Sequence, residues 1–331
     1  MSSHNQHPLG SRFTAASTAT DILAGVDLTG IRVVVTGGHA GLGRETTRAL
    51  ATAGATVTAA ARNPERAAEA LSDDTIEVSR LDLMDPASID DFAARWLKSD
   101  RPLHILINNA GLPAPAEVIR DARGYEAQFA TNHLGHFQLT LRLLPALRAA
   151  RGARVVTVSS GAQRFGQIHW DDPHFNTGYD PNVAYAQSKV ANVLFTVELD
   201  RRYRADGIRG YAVHPGVVVG TALNSSGGSE QLRAMGLIDE AGNAIIRPET
   251  GRKTAAQGAS TIVFAAASPL LAGTGGVYLM DNDISPLVDE DVPMTFSPDQ
   301  PIPAQVAPHA IDPESARRLW QLSEELLKTI Q

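Results

Sequence analysis

A chain of 331 residues, 43% hydrophobic and 20% charged, can bury a substantial core and has the composition of an ordinary globular protein. The formal charge of −7, with no basic block, argues against a nucleic-acid footprint, and the absence of cysteine excludes disulfides, thiolate metal sites and cysteine nucleophiles. No apolar run approaches the ~20 residues of a membrane span and the first residues lack the basic-then-apolar layout of a signal peptide, so a cytoplasmic location is expected.

Residues 1–17, rich in Ser, Thr, His and Gln, read as a flexible or surface-lying arm, and Thr18 to Ala24 as a short helix. Ile31 to Val35 is an apolar run of strand length. It leads directly into Thr36-Gly37-Gly38-His39-Ala40-Gly41-Leu42-Gly43 and then into the helical stretch Glu45 to Ala51. Glycines allow a tight turn and a close approach to phosphate, while a helix start offers unpaired N–H groups and a positive dipole end. Strand, glycine turn and helix together therefore point to dinucleotide binding. Ala55 to Ala61 reads as a second strand followed by Arg62-Asn63-Pro64, and Ile76 to Leu81 as a third, ending in Asp82-Leu83. Ser88 to Leu97 is an amphipathic helix, and the strand Leu103 to Ile107 runs into Asn108-Asn109-Ala110-Gly111.

Tyr125 to Ala149 reads as one helix with Phe129, His133, His136 and Phe137 at helical spacing, and the strand Ala153 to Val158 ends at Ser159-Ser160. The irregular stretch Gly161 to Val183 carries Phe165, Trp170, Phe175 and Tyr179, which suits either a pocket wall or a satellite core. A helix over Ala184 to Tyr203 and a strand over Gly210 to Val213 precede His214-Pro215-Gly216. Residues 221–250 read as a mobile excursion, and the helix Gly251 to Ala267 and strand Gly276 to Met280 close the sheet. After a proline-broken tail, Asp312 and Pro313 open a final helix striped by Ala316, Leu319, Trp320, Leu326, Leu327 and Ile330, whose expected partner is the chain itself. The alternation predicts a single doubly wound α/β domain, a mostly parallel sheet with helices on both faces. Its expected extent is 30–283, with substrate loops 161–183 and 217–250, an arm over 1–29 and a C-terminal extension over 284–331.

The chemistry concentrates in Tyr185-Ala186-Gln187-Ser188-Lys189, where Tyr and Lys four apart share one helix face. A free phenol titrates near ~10, so acid/base work near neutrality requires a shift worth about 4 kcal/mol. An ammonium about 4 Å away at an effective dielectric of ~20 supplies that much, which makes Lys189 the expected source of a lowered Tyr185 pKa. Ser160 stands at the carboxyl end of a strand, where open α/β sheets place ligands, and its hydroxyl suits a carbonyl oxygen.

In this order, the glycine turn, Asn108-Asn109-Ala110-Gly111, Ser160 and Tyr185-x-x-x-Lys189 resemble the short-chain dehydrogenase/reductase family, which has a Rossmann fold; the resemblance covers residues 30–283. Tyr185 to Phe195 and Tyr211 to Gly216 are similar to its retinol-dehydrogenase and WW-domain-oxidoreductase branch. The resemblance implies Tyr185 as acid/base, Ser160 orienting substrate, Lys189 on the nicotinamide ribose, and Asn132 supporting a proton relay. It also implies cofactor contacts from Thr36, Gly37, Gly38, His39, Gly41, Leu42 and Gly43, from Asp82 and Leu83 beside the adenine, from Asn109, Ala110 and Gly111, and from Pro215, Gly216, Val218 and Thr221. Relatives place a hydroxyl five residues after this proline, where Gly220 stands here, so Thr221 is shifted by one. The implied substrate is a fairly apolar carbonyl or alcohol, and a homo-oligomer fits the family.

At the end of the second strand stand Ala61 and Arg62 where NAD-preferring relatives carry an acid; a guanidinium suits a 2′-phosphate, so NADP(H) is expected over NAD(H). No metal site is expected: His4, His7, His133, His136 and the acids Asp281, Asp283, Asp289, Glu290 and Asp291 lack a supporting ligand pattern. Two other functions compete with carbonyl reduction. One is a nucleotide-sensing binding protein acting through its last helix, the other an epimerase or isomerase that retains its cofactor.

Overall fold

The computed structural model describes residues 5–73, 75–220, 228–288 and 300–328. One eight-stranded sheet runs through it in the order β3-β2-β1-β4-β5-β6-β7-β8. The strands are β1 (Arg32–Thr36), β2 (Thr56–Ala61), β3 (Glu77–Arg80), β4 (Ile105–Asn108), β5 (Arg154–Val158), β6 (Arg209–His214), β7 (Val277–Met280) and β8 (Asp283–Ile284). The first seven are parallel and β8 returns antiparallel. Val33, Val34 and Val35 are fully buried, as parallel strands covered on both faces must be. The winding reverses between β1 and β4, which leaves a crevice at their carboxyl ends.

On one face, α1 (Ala19–Leu23), α2 (Gly41–Thr52) and α10 (Ala255–Ala267) bury Ile22, Leu50, Ile262 and Phe264 against the valines. The other face carries α4 (Pro86–Lys98), α6 (Gly135–Arg142), α7 (Leu144–Ala149) and α8 (Pro181–Tyr203), with Phe92, Trp96, Phe137 and Phe195 in its core. The helix α3 (Pro64–Leu71) was not anticipated, although its signals are present: the Asn63 side chain accepts from Arg66 N, and Pro64 opens the first turn.

The tertiary structure corrects one expectation and sharpens two others. The single helix over Tyr125 to Ala149 is divided into α5 (Ala127–Phe129), a π-turn at Ala130–Leu134, α6 and α7; the last break falls at Leu143, just before Pro145, which has no N–H to continue the ladder. The arm, expected to be flexible or surface-lying, lies along the surface where described and is anchored there. Gln6 is buried and pairs with the edge of the sheet, donating to Tyr278 O (2.8 Å) and Ser285 O (2.7 Å) and accepting from Tyr278 N (3.0 Å). The described part of the 221–250 excursion includes α9 (Ser229–Ala234) and is pinned by the buried Arg252, whose guanidinium donates to Gly236 O at 2.7 Å and Met235 O at 3.1 Å.

The last helix, α11 (Pro313–Lys328), docks on its own domain. Ala316, Leu319 and Trp320 are buried, and Trp320 stacks on Phe195 (5.9 Å, 16°) and meets Phe137 edge-on at 4.8 Å. Ile330 lies outside the described residues. Removing so large a buried ring leaves a cavity that the surrounding helices fill only in part, so Trp320→Ala is expected to cost about 3–5 kcal/mol. Denaturant unfolding monitored by circular dichroism checks this.

Candidate active site

A cavity of about 330 Å³ opens at the switch point, from Arg62 and Asp82 across the glycine turn to Ser160, Tyr185, Lys189 and His214. Among the expected cofactor residues, Thr36, Gly37, His39, Gly41, Leu42, Gly43, Leu83, Asn109, Ala110, Gly111, Pro215, Gly216 and Val218 also line it. Two residues named above do not. Gly38 lies behind the turn, where a side chain would meet Thr47 Oγ1 (2.8 Å) and Ala59 Cβ (3.0 Å), so it serves the packing of α2 on β1 and β2. Asn132 is fully buried behind the wall. Thr221 falls outside the described residues.

The turn fits a pyrophosphate. Gly37 has φ 65°, and a Cβ on Gly43 would collide with the Gly37 carbonyl and the Asn109 side chain, so both positions require glycine. Ala40 caps α2 without a side-chain hydrogen bond, and no acid stands in the first turn, so its leading N–H groups face the cavity without a side-chain acceptor. At the Arg62 end of the cavity His39 feels the charges of Arg66 and Arg62. Burial and these two cations hold its pKa below the usual histidine value, so it is neutral at pH 7. Arg66, on the first turn of α3, was not anticipated; its charge acts on His39 although it does not line the cavity.

At the other end α8 presents Tyr185 and Lys189, and Ser160 follows β5. Lys189 is buried; its ammonium donates to Val158 O at 3.2 Å and lies 5.5 Å from the Tyr185 ring centre. Burial lowers the Lys189 pKa to about 8. The expected lowering of Tyr185 is not found. Burial raises its pKa above the usual phenol value, because desolvating the phenolate costs more than the opposing hydrogen bond with Ser160 returns. Asn132 reaches the pair through helix α8: its Nδ2 donates to Ser188 Oγ (3.0 Å), which donates to Tyr185 O (2.7 Å).

His214 was read only as part of a turn. It is buried, accepts from Gly161 N at 3.2 Å through Nδ1, and is pushed down to about 4 by burial, so it is a neutral imidazole steadying the residue after Ser160. Of the other histidine and acid candidates, His4 lies outside the described residues, His7 is exposed, and His133, Asp281 and Asp283 have protein partners. His133 bonds Ser323 Oγ at 2.8 Å, Asp281 pairs with Lys253 at 2.6 Å, and Asp283 accepts from Leu9 N and Ser11 N. Asp289, Glu290 and Asp291 lie outside the described residues. None of the loop aromatics lines the cavity: Phe175 packs on His169 (4.9 Å) and Tyr179 (6.1 Å), Trp170 packs against the core under Arg318 (4.2 Å), and Phe165 is exposed.

These features define a doubly wound α/β protein with a dinucleotide-type cleft, Ser160, Tyr185 and Lys189 at its far end and Asn132 behind them. A sequence profile of the short chain dehydrogenase family matches residues 32–231, and the chain belongs to that family of oxidoreductases. It is 46% identical over 310 residues to a probable oxidoreductase of Streptomyces lividans, spanning 91% of this chain and 99% of that one. It is 38% identical over 309 residues to retinol dehydrogenase 12 of Homo sapiens, spanning 91% of this chain and 88% of that one. It is also 36% identical over 334 residues to the WW domain-containing oxidoreductase of Pongo abelii, spanning 96% of this chain and 73% of that one. The branch expected from the sequence is the one found. No helix among the described residues is long and apolar enough to cross a membrane.

A buried ammonium titrating near 8 instead of 10.5 opposes folding below pH 8, and that opposition disappears as pH rises from 8 to 10.5, where the unfolded chain holds the extra proton. Lys189→Met is therefore expected to stabilise the fold at pH 7, by about 3 kcal/mol, and to flatten the rise in stability across that window. Thermal or denaturant unfolding at pH 7 and pH 10 checks both.

Proposed function

We propose that the enzyme is an NADP(H)-dependent oxidoreductase that interconverts a carbonyl and an alcohol on a fairly apolar small molecule. The observation that carries this reading is one continuous cavity with Ser160, Tyr185 and Lys189 at one end and Arg62 at the other. The nicotinamide of the bound cofactor supplies or takes up the hydride. Tyr185 donates its phenolic proton to the carbonyl oxygen in reduction and receives it back in oxidation, while Ser160 holds that oxygen. Lys189 holds the ribose hydroxyls by family resemblance, and its charge favours the phenolate once oxidation begins. The similarity to retinol dehydrogenase 12 supports an apolar alcohol or aldehyde as substrate class. We assign the reaction to residues 30–283, with the arm and the C-terminal extension as accessories, and place the enzyme in the cytoplasm, which a cysteine-free chain suits. A sensor acting through the last helix is disfavoured because Ala316, Leu319 and Trp320 of α11 are already buried on its own domain.

Tyr185→Phe is expected to lower kcat by about 10²–10⁴-fold while cofactor binding persists, as the loss of a positioned general acid requires. Undiminished turnover on a panel of ketones, aldehydes and alcohols would sink the assignment. Because burial keeps Tyr185 protonated, reduction should hold steady through neutral pH and oxidation should climb with pH as the phenol ionises. Choice of nucleotide rests on Arg62, which lines the cavity. Arg62→Ala should raise KM for NADPH by about tenfold or more and leave that for NADH near its original value, the effect of losing a charge-assisted contact to phosphate.

A further inference from the structure

We propose that His136 is a positioning residue, a buried imidazole held with its proton on Nδ1 that couples the glycine-turn end of the cofactor site to the catalytic end. The inference rests on the reading of Tyr185 and Lys189 as the reacting end, and no motif named above assigns His136 a part in it.

His136 stands on α6 directly after the π-turn that carries Asn132, and it is buried between two polar partners. Its Nδ1 lies 3.0 Å from Asn132 O and its Nε2 lies 2.8 Å from Thr36 Oγ1. A carbonyl has no proton to give, so Nδ1 must carry one and donate it. Burial, with Lys189 adding to it, holds the ring neutral, with a pKa of about 4, so Nε2 is bare and accepts from the Thr36 hydroxyl. Directing the hydroxyl proton toward His136 leaves both lone pairs of Thr36 Oγ1 for backbone donors. Asn109 N and Ala110 N occupy them, each at 2.9 Å. The competing acceptor, Ile107 O, is 3.4 Å away.

Each end of this chain reaches a working part of the site. At the Thr36 end, Asn109 Nδ2 also donates to Thr36 O at 2.9 Å, and Asn109 packs under Gly43, so the glycine turn and Asn109-Ala110-Gly111 are held as one piece. At the other end, Asn132 Oδ1 accepts from Leu112 N (2.8 Å), and Asn132 Nδ2 leads through Ser188 to the backbone of Tyr185. Thr140 Oγ1 donates to His136 O at 2.7 Å and steadies the helix that carries the ring. A phenyl ring in place of the imidazole would fill the volume and strand the Thr36 hydroxyl and the Asn132 carbonyl together.

Nitrogen-15 imidazole spectra of the cofactor-free protein at neutral pH test the tautomer, with the His136 signals identified by their loss in His136→Phe. The expected result is a proton on Nδ1 and none on Nε2; a proton on Nε2 would overturn the proposal. Cofactor affinity supplies the second readout, measured with whichever of NADPH and NADH binds more tightly. His136→Phe and Thr36→Val should each raise the dissociation constant by about tenfold, and the double variant should be no weaker than the worse single one, since both break the same link. His136→Phe should lower kcat as well, whereas Thr36→Val should act mainly on affinity. Single variants that bind cofactor like the parent, or that add fully in the double variant, overturn the coupling. Should His136→Phe fail to fold, Thr36→Val alone decides: a parental dissociation constant overturns the proposal. A parent protein that binds cofactor but turns over no carbonyl would instead sink the catalytic reading, leaving the tautomer and affinity results to stand by themselves.

Discussion

Parallel strands need long crossovers, and at the single place where the winding reverses no crossover covers the strand ends. In this protein that place lies between β1 and β4, and the site depends on it. The carboxyl ends of β1, β4, β5 and β6 deliver Thr36, Asn109, Ser160 and His214 to one crevice, although up to 178 residues separate them, and α8 then adds Tyr185 and Lys189. Strand ends leave backbone groups unpaired. Side chains take up part of that demand, as when Thr36 Oγ1 accepts from two N–H groups and His214 from a third.

Burial sets the electrostatics of this crevice more than pairing does. Lys189 donates to Val158 O and has a depressed pKa, while that of Tyr185 beside it is raised. A cation held in a desolvated position is a cost to folding that an apolar side chain would not impose, which is the usual conflict between stability and activity at such sites. The buried histidines follow the same rule: His133, His136 and His214 are all held neutral by desolvation, so they act as fixed donors and acceptors, not as carriers of charge.

The peripheral segments support this core. Gln6 imitates a strand partner at the β7 and β8 edge, and Asp283 holds the next residues of the arm. From the other terminus α11 seals the outer face of α8 with Trp320, and its Ser323 bonds His133, inside the same π-turn that presents Asn132. The helix that bears Tyr185 and Lys189 is thus packed against both the sheet and α11.

The local grammar of the chain determined a good deal. An apolar run followed by Thr36 to Gly43 specifies strand, turn and helix start; Tyr185 and Lys189 four apart must share a helix face; and Arg62 after Ala61 puts a cation where the second strand ends. Each of these is set by neighbours within a few residues, so the sequence carries it. The remainder needed the folded chain. Whether Gly38 faces ligand or packs under α2, whether Gln6 is loose or buried, and whether Tyr185 titrates below or above an ordinary phenol all depend on atoms distant in sequence. The pairing of Thr36 with His136 spans a separation of 100 residues and has no local signature, because a hydrogen bond of that kind exists only once the sheet and the π-turn have brought the two side chains out of water together.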